Sequence, residues 1–214
     1  MNTVMKDSLQ YKRSFVEQCI KAEFADFELV DKRHSKLMKV LSYLLFFNPK
    51  FMTRFITVIG HKVYVPQLPW NKSNPYGAIE VLCHEWVHMK DAKSMGIWFK
   101  LLYLFPQIFA ILALLGFWNS WFFCFLICLA PFPALWRAKL ELRGYTMSMA
   151  VRWWLLKKEP NYDWYVEQFV GPNYYYMYPF SDYVRERLEE EFERIRADQL
   201  ENHEFQIKHI LIGE

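Results

Sequence analysis

Residues 101–136 read LLYLFPQIFAILALLGFWNSWFFCFLICLAPFPALW, and from Leu101 to Trp136 there is no Asp, Glu, Lys, Arg or His. A membrane-crossing helix needs about 20 apolar residues. This run is too long for one such helix and carries GFWNSW near its middle. It therefore predicts two helices of about 17 residues joined by a tight turn. At about 1.5 Å per residue, each arm is slightly short of a full span. Pro106, Pro131 and Pro133 lie near the ends, where a fixed φ and a missing N–H kink a helix. Trp98, Trp118, Trp121 and Trp136 gather at the ends and the turn, where interfacial aromatics belong. Lys90, Lys93 and Lys100 precede the run, Arg137, Lys139 and Arg143 follow it, and the turn is uncharged. That bias puts both flanks on the cytoplasmic side of a membrane. The competing reading is a hairpin buried inside a larger assembly.

Outward from the run the chain is polar enough to fold in water. With 214 residues, 53% hydrophobic and 19% aromatic, it has the material for one domain with an insertion. A net charge of +3, with no basic block, gives no footprint for nucleic acid, so none is expected as a partner. Cys19, Cys83, Cys124 and Cys128 form no CxxC pair, which predicts reduced thiols rather than a disulfide framework. The N-terminal stretch has no apolar core, so no secretory signal peptide is expected.

Residues near 8 to 30 read as helical. SKLMKVLSYLLFF (35–47) has a helical apolar stripe that stops at Asn48-Pro49, and FITVIGHKVYVP (55–66) reads as two short strands around Gly60-His61. QLPWNKSNPYG (67–77) reads as a loop. A helix then starts near Tyr76 and stops at Gly96. After the hairpin, AKLELRGYTMSMAVRWWLLKK (138–158) reads as a long helix and residues 159–180 as aromatic and irregular. Ser181 is placed to cap a final amphipathic helix with Val184, Leu188, Phe192 and Ile195 on one stripe. The fold class expected is mainly α with a small β-hairpin (α+β). Residues 1–214 form a single domain, 97–136 the inserted hydrophobic hairpin, and 181–214 a C-terminal amphipathic helix and tail.

The helix leading into the hairpin carries VLCHEWVHMKD (81–91). Positions i and i+4 share a helix face, so His84 and His88 can reach one metal ion, and Glu85 can touch a water held there. The bland alternative is a helix surface that happens to carry two histidines. Metzincin spacing would need Gly at 91 and His at 94, but Asp91 and Ser94 stand there. Asp91 shares the face but would have to strain to converge. Glu141 is the first acid after the hairpin, and the small neighbours Ala138, Gly144 and Ser148 let another helix approach closely. The hairpin brings its own two ends together, and these carry HEWVH and Glu141. Glu141 could instead pair with Arg137, one turn away. Cys83 points about 100° away from His84 on a helix and reads as packing.

HExxH, a hydrophobic hairpin and a distal glutamate together resemble the gluzincin metallopeptidases. Within that family the chain is similar to the membrane proteases of the heat-shock and CAAX-prenyl-protease group and to soluble minimal gluzincins. The resemblance covers roughly residues 35 to 158. It implies a minimal gluzincin core interrupted by the hairpin, zinc held by His84, His88 and Glu141, Glu85 as general base, and a peptide or protein substrate. KVYVP (62–66) matches the strand that lines the family's cleft and pairs with an extended substrate. Many members place an aspartate four residues after the ligand glutamate, where it holds a ligand histidine. Here that position is Tyr145, whose hydroxyl would have to stand in. Tyr174, Tyr175, Tyr176 and His203 are chemically able to stabilise a transition state, although an aromatic cluster also reads as core. Two further classes remain: a non-catalytic membrane or viral-particle assembly component with a structural zinc, and a membrane-anchored binding module without metal. An oligomer or larger assembly is compatible with each.

Overall fold

The computed structural model describes residues 3–45, 48, 50–70, 74–130, 133–172 and 176–213. Within these the chain is mainly helical with one small three-stranded sheet, as the fold class above expects. It forms two compact units, one up to Met89 and the other from Lys90 to Ile212.

The first unit begins with α1 (Thr3–Glu23), whose positions Leu9, Arg13, Val16 and Ile20 are buried at helical spacing. Arg13 belongs to that stripe because its guanidinium is satisfied: it donates to Glu17 at 2.9 Å and to the Trp70 carbonyl at 2.8 Å. Strand β1 (Glu28–Asp31) follows where a continuation of the helix was expected. Four residues give too short an alternation to stand out in sequence, and pairing with a distant strand decides their state. Ser35 then caps α2 (Lys36–Leu44) by accepting from the Met38 N–H.

Strands β2 (Thr57–Ile59) and β3 (Lys62–Val65) form the expected hairpin, with Gly60 at φ 63° in the turn. The sheet order is β1-β3-β2, with β1 parallel to β3. β3 is therefore the central strand and carries no free edge. This corrects the reading of KVYVP as a strand open to a substrate, since both of its ladders are taken by β1 and β2. Val63, Tyr64 and Val65 are buried in succession, as a strand covered on both faces requires. Met38, Phe51 and Tyr64 form the local core.

Helix α3 (Pro75–Met95) starts with Pro at its first position, and the Asn74 side chain accepts from the Gly77 N–H. Its residues from Ala78 to Met89 are buried nearly all round, which marks a core helix rather than a surface one. Trp86, in the middle of HEWVH, is buried and donates its indole N–H to Glu23 at 2.9 Å. The expected stop is real: Gly96 takes φ 58° immediately after Met95.

In the second unit the apolar run departs from two simple helices. It is built from α4 (Ile97–Leu104), a 3-10 helix (Gln107–Phe117) and a second 3-10 helix (Ser120–Leu129). The two 3-10 helices pack against each other across Trp118-Asn119, where the Asn119 side chain accepts from the Trp121 N–H. α4 and the first 3-10 helix meet at an 82° bend beside Pro106, whose missing N–H breaks the helical ladder. No single helix among the described residues is long and apolar enough to cross a membrane, and only this bent pair passes that test together. Phe117 is 89% and Trp118 94% exposed at the tip. Pro49 and Pro131, and residues 71–73 of the expected loop, lie outside the described residues.

Helix α5 (Leu135–Leu156) is the axis of this unit and packs on α4, α7 (Ser181–Arg196) and α8 (Asn202–Ile212). α6 (Tyr162–Val170) occupies part of the stretch read as irregular, capped by Asn161 accepting from the Trp164 N–H. Its aromatic content hid a short stripe in which Tyr165, Val166 and Phe169 join Tyr145, Met149, Leu188 and Phe192 in the core. Val184, Leu188, Phe192 and Ile195 are the buried face of α7, as their spacing predicts. Ser181 is not its cap, however, because Phe180 occupies that position. Nor is α7 the final helix. The chain turns after Arg196, and Glu204 accepts from the Glu201 N–H to start α8.

Candidate metal centre

His84 and His88 are one turn apart on α3, and their Nε2 atoms face each other at 3.1 Å with the rings nearly perpendicular. Two nitrogen ligands at about 2.0–2.1 Å from a tetrahedral zinc would be about 3.3 Å apart. Two lone pairs that close repel each other unless a proton or a cation lies between them. Glu141, on α5, supplies the carboxylate. One ligand atom from each of His84, His88 and Glu141 lies within 4.8 Å of the others, and all three side chains are buried. Two imidazole nitrogens and one carboxylate oxygen are a donor set of the kind that holds a divalent transition-metal ion. A buried His-His-Glu group able to hold a metal ion is thus present where the sequence pointed.

Glu141 is only 1% exposed. An ionised carboxylate so far from water is costly unless it is hydrogen-bonded or faces a cation. One partner comes from α4: the Tyr103 hydroxyl donates to Glu141 Oε1. The same Tyr103 ring carries the Arg137 guanidinium 5.0 Å from its centroid and stacks on Phe99 at 5.7 Å. Sequence reasoning missed Tyr103. Its signal was that it is the one Tyr between Leu101 and Trp136, a hydroxyl in a run without Asp, Glu, Lys, Arg or His.

The other proposed residues fall as follows. Glu85 follows His84 on α3 and is half-buried. Cys83 is fully buried and its thiol pKa is pushed up by burial, in keeping with packing. Asp91 is held by Arg143 through two hydrogen bonds, at 3.0 and 3.2 Å, and Arg143 also donates to Glu201 at 3.2 Å. His203 joins that network beside Glu201, and burial, aided by the Arg143 charge, pulls its pKa down. The Tyr145 ring packs against Trp164, Tyr165 and Phe169 in the α5–α6 core. Tyr176 is exposed, and Tyr174 and Tyr175 lie outside the described residues.

No protein-family model matches this chain, and no significant match was found among curated proteins or solved structures.

Proposed function

We propose that this chain is a membrane-associated zinc metalloprotease of gluzincin type that hydrolyses peptide bonds in a peptide or protein substrate. The observation that carries the reading is the buried His84–His88–Glu141 group with a half-buried glutamate next to the first histidine. When bound, zinc supplies Lewis-acid polarisation of a carbonyl and acidifies water towards a pKa of about 7. His84 and His88 would supply two imidazole nitrogens and Glu141 a carboxylate oxygen to the ion. Glu85, kept out of the ligand set, accepts a proton from water and returns it to the leaving amine. Membrane association is supported by the uncharged hairpin and its tip, where Phe117, Trp118 and Trp121 turn their rings to solvent.

The test is Glu85→Gln. An amide cannot accept the water's proton, and general-base catalysis is worth about 10²–10⁴-fold. The variant should keep its zinc and its melting temperature and lose nearly all cleavage of unfolded protein substrates. Equal, background-level cleavage by wild type and variant, with both holding zinc, would replace the protease by a structural zinc site.

A further inference from the structure

We infer that Tyr103 is a positioning residue for the metal ligand Glu141, so that the first arm of the apolar hairpin is part of the metal centre. The inference rests on the metal-site reading above. A carboxylate ligand has a soft torsion about its last carbon–carbon bond, and where its two oxygens point decides what it can bind. The Tyr103 hydroxyl holds Glu141 Oε1. That bond restrains the rotation of the carboxylate about its last carbon–carbon bond and so narrows the directions open to its second oxygen. The tyrosine is itself held by the Arg137 guanidinium, 5.0 Å from its ring centroid. Arg137 and Glu141 are one turn apart on α5, so Tyr103 is gripped at its ring and at its hydroxyl by the same helix. Partners of this kind orient ligands and tune their basicity.

A purely structural role makes a different prediction, and the two separate experimentally. The full chain in detergent micelles is titrated with zinc against a chromophoric chelator, and its cobalt-substituted form is examined by visible absorption. Three proteins are compared: wild type, Tyr103→Phe and Phe99→Leu. Tyr103→Phe keeps the ring and removes only the hydroxyl. It should bind zinc about 10–100-fold more weakly, and the intensity and position of its cobalt bands should change. Phe99→Leu removes the stacking neighbour and leaves the hydroxyl, so its zinc affinity and cobalt bands should match wild type. Wild-type affinity and bands in Tyr103→Phe overturn the inference and leave the metal site standing. So does an equal loss in Phe99→Leu, which would assign the effect to α4 packing. Wild type without stoichiometric zinc overturns the metal site and the inference together.

Discussion

Replacing Glu141 by glutamine should change stability with opposite sign depending on whether zinc is present. Without metal, wild type has to bury the Glu141 carboxyl group, at 1% exposure, against the Tyr103 hydroxyl. A charge-assisted hydrogen bond is worth about 1.5–3 kcal/mol, whereas the desolvation penalty of a buried ion is several kcal/mol. The neutral isosteric amide avoids most of that penalty and still accepts from Tyr103. In chelator, Glu141→Gln should therefore melt at or above the wild-type temperature. With zinc at a thousand times its dissociation constant, wild type gains about 4.1 kcal/mol by mass action. If the amide weakens zinc a thousandfold, the gain at the same concentration is RT ln 2, about 0.4 kcal/mol. For a chain of this size each kcal/mol moves the melting temperature by about 2–4 °C, so zinc should raise wild type by about 8–16 °C and the variant by about 2 °C or less. Differential scanning calorimetry of both proteins in chelator and in excess zinc gives the four values. An equal zinc shift in both would remove Glu141 from the site. A large loss of stability in the variant without metal would mean that protein partners anchor the carboxylate and that it is not placed for a cation.

Two further outcomes follow from other parts of the molecule. Lys32 is fully buried, with its ammonium donating to the Phe51 and Phe55 carbonyls at 2.9 Å each, and burial lowers its pKa to about 8 from 10.5 in the unfolded chain. Between those values the unfolded chain binds more protons, so stability should rise with pH from about 8 to 10.5, by at most about 3 kcal/mol, with no contribution to the slope below 8. Urea unfolding of wild type against Lys32→Met at pH 7, 9 and 10 tests this, and parallel curves would refute it. At the hairpin tip, the double change Trp118→Glu and Trp121→Glu places two charges where aromatic rings now face outward, at up to about 3 kcal/mol each inside a bilayer. Wild type should float with vesicles of mixed zwitterionic and anionic lipid, and the double variant should not while still binding zinc. Flotation by neither protein, or by both, would count against insertion of the tip.

Much of the architecture was legible because periodicity is local. The Val184, Leu188, Phe192 and Ile195 stripe, the Gly60 turn and the Gly96 stop each depend on a few neighbouring residues and appear as expected. β1 was not legible, because Glu28–Asp31 is a strand only through its pairing with β3, more than thirty residues on. The same pairing turned KVYVP from an edge into the centre of the sheet, and nothing within those five residues could reveal it. α6 was hidden for a different reason: its aromatic residues are poor discriminators of helix and coil, and its apolar face is set by contact with α5 and α7.

The metal group and Tyr103 show the two sides of this. His84 and His88 were readable because i, i+4 spacing fixes geometry within one turn, and Glu141 because the hairpin sets the distance between its own ends. Tyr103 was concealed by the very composition that made its segment conspicuous, since an uncharged run invites reading every member as a lipid or core contact. Energetics argue against that reading for this residue. A fold gains nothing in stability by burying two facing imidazoles and a carboxylate, and comparable volumes of leucine would pack at lower cost. Such a departure from local consistency is expected where function constrains the sequence. The hydroxyl that α4 extends to Glu141 reduces the cost of that departure and at the same time sets the direction of the ligand. The hairpin arm therefore takes part in placing Glu141: a displacement of α4 against α5 moves the Tyr103 hydroxyl and, through it, the Glu141 carboxylate.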